Sequence, residues 1–518
     1  MLEGERSQLL AAIRNFRRPL RLMWDEREGR NIFMGDDAGA QPSSSAQIGY
    51  LPPIFPEWLG DRSFLTRHDL RFAYICGEMA RGIASTQMVI AAANAGLLGF
   101  FGAAGLDVAT VSDAIARIFA TLGPSKSWGV NLIHSPDAPG LEEALVELYL
   151  QAGVTRASAS AFLEISPAVV RYMASGLRRG PLGDPVRLNH VFAKVSRPEV
   201  ATQFMSPPPH DMLRALVSQG RLTDDEAEIA SALPIAEDVI AEADSGGHTD
   251  NRPLPVLLPL LQSLRDRIAA RHPGTRMVRI GAAGGLGSPQ AVAAAFAAGA
   301  AFVVTGSVNQ ASVEAGLSSS AKALLAVADM QDIAMAPSAD MFEAGVKVQV
   351  LRKGTLFPQR AARLYDIYRA YDSLDAIPPE LSTQIEREIF KRSVDAVWSE
   401  TKRFFERRDP DALAAAENSP KVKLALVCRW YLGNASLWAI TGEKGREMDF
   451  QIWCGPAQGA FNDWVKGSFL EPLENRSVVQ IAYNLLEGAA VVTRAQQLRA
   501  MGVETPAEAF RFEPRPLG

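Results

Sequence analysis

The sequence predicts an α/β protein built on a closed (β/α)8 TIM barrel, with an additional mainly helical C-terminal region. Three observations carry this. Alanine-rich helical stretches repeatedly end in Ala-Gly and hand over to a strand-sized apolar run: AAANAG into LLGFFG, VELYLQAG into VTRASAS, and AAAFAAG into AAFVVTG. Gly96, Gly153 and Gly299 thereby stand where a left-handed residue stops a helix. The runs are continuously apolar rather than alternating, the pattern of strands buried on both faces in a parallel sheet. Eight of them fall within about 250 residues, the usual extent of such a barrel.

In chain order, the opening MLEGERSQLLAAIRNFRRPLRL reads as a short surface helix, and residues 30–62, with SerSerSer at 43–45 and Pro52-Pro53, as irregular covering structure. The eight strands follow: FAYIC from Phe72, LLGFF from Leu97, WGVNLI from Trp128, TRASAS from Thr155, HVFAKV from His190, DVIAEA from Asp238, MVRIGAA from Met277 and AFVVTG from Ala301. An open doubly wound sheet is the competing arrangement, because periodicity does not prove closure. After Lys322 the alternation fades, and helical patterns dominate from Pro379 to the end. The expected division is a covering segment at 1–70, a barrel at 71–325 with a helical insertion at about 200–236, and a helical region at 326–518. Trp398, Trp430, Trp438, Trp453 and Trp464 read as core residues of that last region rather than a ligand box.

Composition narrows the function. Of 518 residues 47% are apolar, enough for a large core, and 58 acidic residues nearly balance 53 basic ones. No basic stripe points to nucleic acid. The three cysteines, Cys76, Cys428 and Cys454, have no metal-ligand spacing and form no disulfide framework, which fits a reducing cytoplasm. Glu3 and Glu5 and the lack of an apolar core argue against a signal peptide. The longest apolar run, Met88 to Leu106, is broken by Asn94, Gly96, Gly99 and Gly102, so it reads as helix, turn and strand rather than a membrane span.

In such a barrel the chemistry sits in the loops after the strands. The seventh strand is followed by Ala283-Gly284-Gly285-Leu286-Gly287-Ser288-Pro289 and the eighth by Thr305-Gly306-Ser307, each opening a helical segment. Glycines there let backbone N–H groups approach a phosphate, and the helix dipole favours the anion; tight turns use the same residues. The sixth strand leads into Asp244-Ser245-Gly246-Gly247-His248-Thr249-Asp250. A histidine on that turn can give a hydrogen bond or a proton to a carbonyl being reduced; the plainer reading bonds it to Asp244 or Asp250. His134, after WGVNLI, is the second candidate, while His68, His190, His210 and His272 read as structural or surface residues.

Ser-Gly-Gly-His at 245–248, Ala-Gly-Gly at 283–285 and Thr-Gly-Ser at 305–307 resemble the flavin site of nitronate monooxygenases and of FMN-dependent enoyl-acyl-carrier-protein reductases. GVNLIHSP from Gly129, EADSGGHTDNRP from Glu242, the long stretches from Gly281 and Ala336, and EKGREMDFQIWCGPAQGAFNDW from Glu443 extend the likeness over nearly the whole chain. They resemble the trans-acting enoyl reductases of polyketide and polyunsaturated-fatty-acid synthases, the PfaD family. The resemblance implies FMN as cofactor and NADPH as hydride donor. It places Gly284, Gly285, Thr305, Gly306 and Ser307 around the FMN phosphate, and Asn131, Lys194, Gly246 and Gly247 beside the ring. Ile83 and Ala84, in the turn after the first strand, would touch the ring through their backbone. Glu242 would join them, on a loop one residue shorter than in the enoyl reductases. His248 would polarise the thioester oxygen or supply the proton.

The implied function is reduction of enoyl thioesters on an acyl carrier protein of a polyketide or fatty acid synthase, with neither nucleic acid nor membrane as partner; an oligomer is compatible with it. Arg352, Lys353, Arg360 and Arg363 are candidates for a basic face toward an acidic carrier protein, against a plain solvated face. A nitronate monooxygenase-like flavin oxygenase and a non-catalytic docking subunit of a synthase are the alternatives.

Overall fold

In the computed structural model, the structure describes residues 3–27, 29–35, 45–135, 138–272 and 278–518; Ser43, Ser44, Pro136 and Met277 of the stretches above lie outside them. Eight parallel strands are found where the apolar runs predicted them. They are β1 Tyr74–Cys76, β2 Leu98–Phe101, β3 Gly129–Ile133, β4 Arg156–Ser160, β5 His190–Val195, β6 Asp238–Glu242, β7 Arg279–Ala283 and β8 Val303–Thr305. Each pairs with the next, and β8 pairs with β1, so the sheet is a closed barrel rather than an open one.

The inward faces are stacked in layers, as a barrel core requires. Along β5 and β6 every second residue faces the same way, each one layer above the last, and Phe192 and Asp238 are register partners. In the middle, Ile75, Leu98, Phe100, Phe192, Ile240 and Phe302 form one buried cluster. Phe192 meets Phe100 at 5.0 Å, and Phe302 stacks on Phe64 at 4.3 Å. Those rings explain Gly281 in β7, where a Cβ would lie 2.2 Å from the Phe302 ring. Cutting Phe192 to alanine removes the centre of this layer, at a cost of about 3–5 kcal/mol.

Below the rings lies a plug of buried charge. Asp238, with no exposed surface, accepts bonds from Arg279 Nε (2.6 Å) and Nη2 (2.8 Å) and pairs with His68 Nε2 at 2.8 Å. Arg156 Nε donates to the other ring nitrogen of His68 at 3.3 Å. Burial drags His68 down to about 4, even though Asp238 works against it. Asp238 itself is pushed up by burial, yet His68 and Arg279 outweigh that and hold it well below the carboxylate range. His68 and His190 are therefore structural, as the sequence suggested.

The stretch expected to be irregular contains strands. Arg30–Gly35 and Ser45–Leu51 flank Leu20–Asp25 in an antiparallel sheet, with Leu20, Leu22 and Met23 buried. The short strand Leu20–Asp25, which precedes the Gly and Pro clusters, organises these segments by pairing with both of its neighbours. Helices Pro198–Met205, His210–Ser218 and Asp224–Ala230 occupy the insertion between β5 and β6.

The chain forms two compact units: 1–243 with 251–315 and 463–518, and 244–250 with 316–462. The last long helix, Val478–Ala500, belongs to the barrel unit. Its Gly488 lies so close to Pro289 that a Cβ would sit 2.6 Å from the proline ring, and Tyr483 Oη donates to Ala95 O at 3.1 Å. Trp464 Nε1 is bonded there too, to Phe512 O at 2.8 Å. In the second unit the helix Pro420–Thr441 packs in a core that Trp398, Trp430, Trp438 and Trp453 border, which supports their reading as packing residues. This unit also contains an antiparallel hairpin, Ile333–Pro337 with Lys347–Leu351. No helix among the described residues is long and apolar enough to cross a membrane.

Candidate functional site

The upper layer of the barrel carries charge. Two positions beyond Phe192 and Ile240, on the same faces of their strands, stand Lys194 and Glu242. Lys194 Nζ lies 3.2 Å from Glu242 Oε1 and 3.1 Å from Glu78 Oε1. Glu78, a residue the sequence reading missed, stands just beyond β1, four strands away from β5 around the ring, so Lys194 bridges opposite walls at the carboxyl end of the barrel. Burial favours the neutral amine, but Glu242 and Glu78 together outweigh it and hold Lys194 above the ordinary lysine range.

The glycine turns sit at the same end. Gly284 and Gly285 adopt φ +88° and +71°, a left-handed pair that only glycine accommodates cheaply. A Cβ on Gly285 or on Gly306 would meet nothing within 4 Å. At Gly306, where φ is −124°, neither backbone strain nor packing demands a glycine. Among the described residues, the N–H groups of Gly285, Leu286 and Gly306 have no protein acceptor. Open space, unclaimed donors and the start of helix Pro289–Ala297 fit a phosphate group such as that of FMN. Thr305 contributes differently from expectation. Its hydroxyl is held by Tyr74 Oη (2.6 Å) and Asn309 Nδ2 (3.0 Å), so it props the turn from inside. Ser307 opens the short helical turn Ser307–Asn309 next to Gly306.

Asn131, almost fully buried on β3, donates to Ser158 O (3.0 Å) and Ser160 Oγ (2.8 Å), which ties β3 to β4 and leaves its carbonyl oxygen for a ligand. The turn at Ile83 and Ala84 is committed: Ile83 N–H donates to Ala80 O and Ala84 N–H to Met79 O, each at 3.1 Å. His134 is held by Glu142 at 3.2 Å and stacks on Phe162 at 4.6 Å, a self-contained arrangement.

The Ser-Gly-Gly-His turn belongs to the second unit. Gly247 and His248 form a short strand paired with Gln349 and Val348 of the hairpin. Gly246 is required by packing, because a Cβ would lie 2.8 Å from Cys454 N, and Gly247 by its φ of +82°. His248 Nε2 lies 3.2 Å from Ser338 Oγ and 3.3 Å from Asp340 Oδ1, while Asp244 accepts from Gln349 Nε2 at 3.1 Å. Partial burial would raise Asp340, but His248 and Ser338 hold it well below the carboxylate range. The ring is thus oriented by a carboxylate and a hydroxyl, the support a proton donor needs.

Three of the four residues of the basic cluster are paired with carboxylates. Arg360 is bound to buried Asp449, Arg363 to Glu388 at 3.3 Å, and Lys353 to Asp332 at 3.2 Å. Exposed Arg352 alone of the four makes no ion pair among the described residues.

Residues 371–450 match the family model of the inserted helical domain of [acyl-carrier-protein] S-malonyltransferase. The chain is 46% identical over 481 residues to one of the polyunsaturated fatty acid synthase subunits of Thraustochytrium sp., covering 91% of this chain and 32% of that protein. It is 44% identical to the polyketide biosynthesis protein PksE of Bacillus subtilis, covering 85% and 57%. The chain therefore spans less than two thirds of the curated relatives it matches. Among solved structures, the enoyl reductase domain of MlnA, from the macrolactin biosynthesis cluster of Bacillus amyloliquefaciens, aligns with a TM-score of 0.81 and 39% identity over 86% of this chain and 99% of that one. A FabK variant from Thermotoga maritima shares the fold at 18% identity and a TM-score of 0.51, over 85% and 98%.

Proposed function

We propose that this chain, which belongs to the enoyl reductase family of polyketide and polyunsaturated-fatty-acid synthases (the PfaD family), acts in trans to reduce the double bond of an enoyl thioester on an acyl carrier protein. The observation that carries the reading is the pair of glycine turns after β7 and β8, open at Gly285 and Gly306 where the fold itself has no use for the space. FMN held there, reduced by NADPH, would supply the hydride. The chain's own residues do the rest. The N–H groups of Gly285, Leu286 and Gly306 bind the phosphate, aided by the dipole of helix Pro289–Ala297. Asn131 offers its carbonyl oxygen, and the Lys194 ammonium gives a fixed positive charge at the barrel mouth. His248, oriented by Asp340 and Ser338, donates to the thioester oxygen as negative charge develops there, or delivers the proton to the α-carbon.

The test is an absorption spectrum of purified protein supplied with excess FMN, then NADPH, then an enoyl thioester of an acyl carrier protein. The reading requires a flavin spectrum that bleaches with NADPH and recovers on adding the thioester under anaerobic conditions. Recovery only with oxygen, together with nitronate-dependent oxygen uptake, would favour the oxygenase. A colourless protein that still binds carrier protein would favour a docking subunit.

A further inference from the structure

At the barrel mouth one lysine meets carboxylates from two walls. One ammonium, Lys194, serves two carboxylates, Glu242 at 3.2 Å and Glu78 at 3.1 Å. All three side chains are largely withdrawn from water, Glu78 most of all at 6% exposure. A second carboxylate is not needed to satisfy the lysine. Glu242 is its neighbour on the adjacent strand and would suffice for an ion pair. Glu78 comes from the opposite wall, just beyond β1, where the chain has turned away from the sheet. Burying an additional carboxylate is costly unless the charge has a use.

Resting on the reading that the barrel binds FMN, we propose that Glu78 is a positioning residue that sets the flavin's reduction potential. From the far wall it pins the Lys194 ammonium across the barrel mouth and offsets part of its charge. The physical argument is electrostatic. Reduction leaves more negative charge on the bound cofactor, and in a site shut off from water that charge is sensitive to every fixed charge nearby. Lys194 alone favours the reduced form strongly. Glu242 and Glu78 each offset part of that charge, so the carboxylate from the far wall opposes reduction. A lower potential makes the reduced cofactor a stronger hydride donor toward an enoyl thioester. Glu78 also draws Nζ away from Glu242 and so fixes where the positive end points. Neither effect requires Glu78 to touch substrate or the reacting atoms.

The experiment compares wild type, Glu78→Gln and Glu78→Asp, each reconstituted with FMN. The midpoint potential is read by equilibration with a reference dye, and the dissociation constant of oxidised FMN by fluorescence. Glu78→Gln keeps the shape and removes the charge. It should favour reduced over oxidised FMN by about tenfold, an upward shift of about 30 mV for a two-electron couple. Glu78→Asp, which keeps the charge, should stay near wild type. Glu78→Ser serves as a second neutral variant, so that poor folding of one does not decide the matter. A merely structural role would lower FMN loading without moving the potential of the loaded fraction upward. Neutral variants whose potential equals or falls below that of wild type overturn the proposal. Wild-type protein that takes up no FMN at all would instead bring down the flavin reading, and this proposal with it.

Discussion

Acid should weaken the barrel through one histidine, and the amount follows from the plug beneath its aromatic layer. His68 is fully buried, accepts a bond from Arg156 Nε and pairs with Asp238, so its ring is neutral in the folded protein. Its folded value of about 4 lies below the ordinary 6.5. The unfolded chain therefore binds a proton that the folded one refuses, and stability falls as pH drops from about 6.5 toward 4. The stabilisation is complete above that window. A displacement of this size is worth about 3 kcal/mol across the full window, of which about 2 kcal/mol is lost by pH 5. Equilibrium urea unfolding of the intact protein at pH 7.5 and pH 5 measures it. The control is His68→Gln, because glutamine can still donate to Asp238 and accept from Arg156 but does not titrate. Wild type should lose about 2 kcal/mol more than His68→Gln between the two pH values. Equal losses in the two proteins would refute a neutral His68 as the group responsible.

Three further outcomes follow from the site. His248→Ala should lower enoyl-thioester turnover by about 10²–10⁴-fold while FMN content, read from absorbance, stays near wild type; turnover within a few-fold of wild type would remove His248 from the chemistry. Gly285→Asp should strip FMN, because a carboxylate would enter the space left open at that turn and repel the phosphate; full flavin loading would refute the phosphate assignment. In the second unit, Asp449→Asn should destabilise by about 3–5 kcal/mol in urea, since Arg360 and Arg446 would be left facing a neutral amide in a buried site. A loss below 1 kcal/mol would mean that those cations find water or other partners.

What the sequence revealed and what it hid divide along one physical line, the range of the interaction. The barrel was legible because each strand announces itself locally, as an apolar run after an Ala-Gly helix stop, and Gly96, Gly153 and Gly299 do adopt positive φ. Lys194 and Glu242 came with the family resemblance alone, and the structure places them two residues beyond Phe192 and Ile240 on the same faces of their strands. Glu78 was not legible, because nothing local says that the loop beyond β1 reaches a lysine on β5. The Ser-Gly-Gly-His turn was placed after the correct strand, yet its backbone pairs with Gln349 and Val348, a hundred positions away, and its imidazole with Ser338 and Asp340. The one cue was that the chain around Ser338 and Asp340 carried part of the family resemblance without any role being assigned to it. Asp340, beside His248, gives that stretch a test. Asp340→Asn keeps the shape beside His248 and removes the charge that orients it, so turnover should fall while FMN loading holds. Turnover unchanged by Asp340→Asn would mean that the Asp340 charge does not orient the His248 ring for the chemistry.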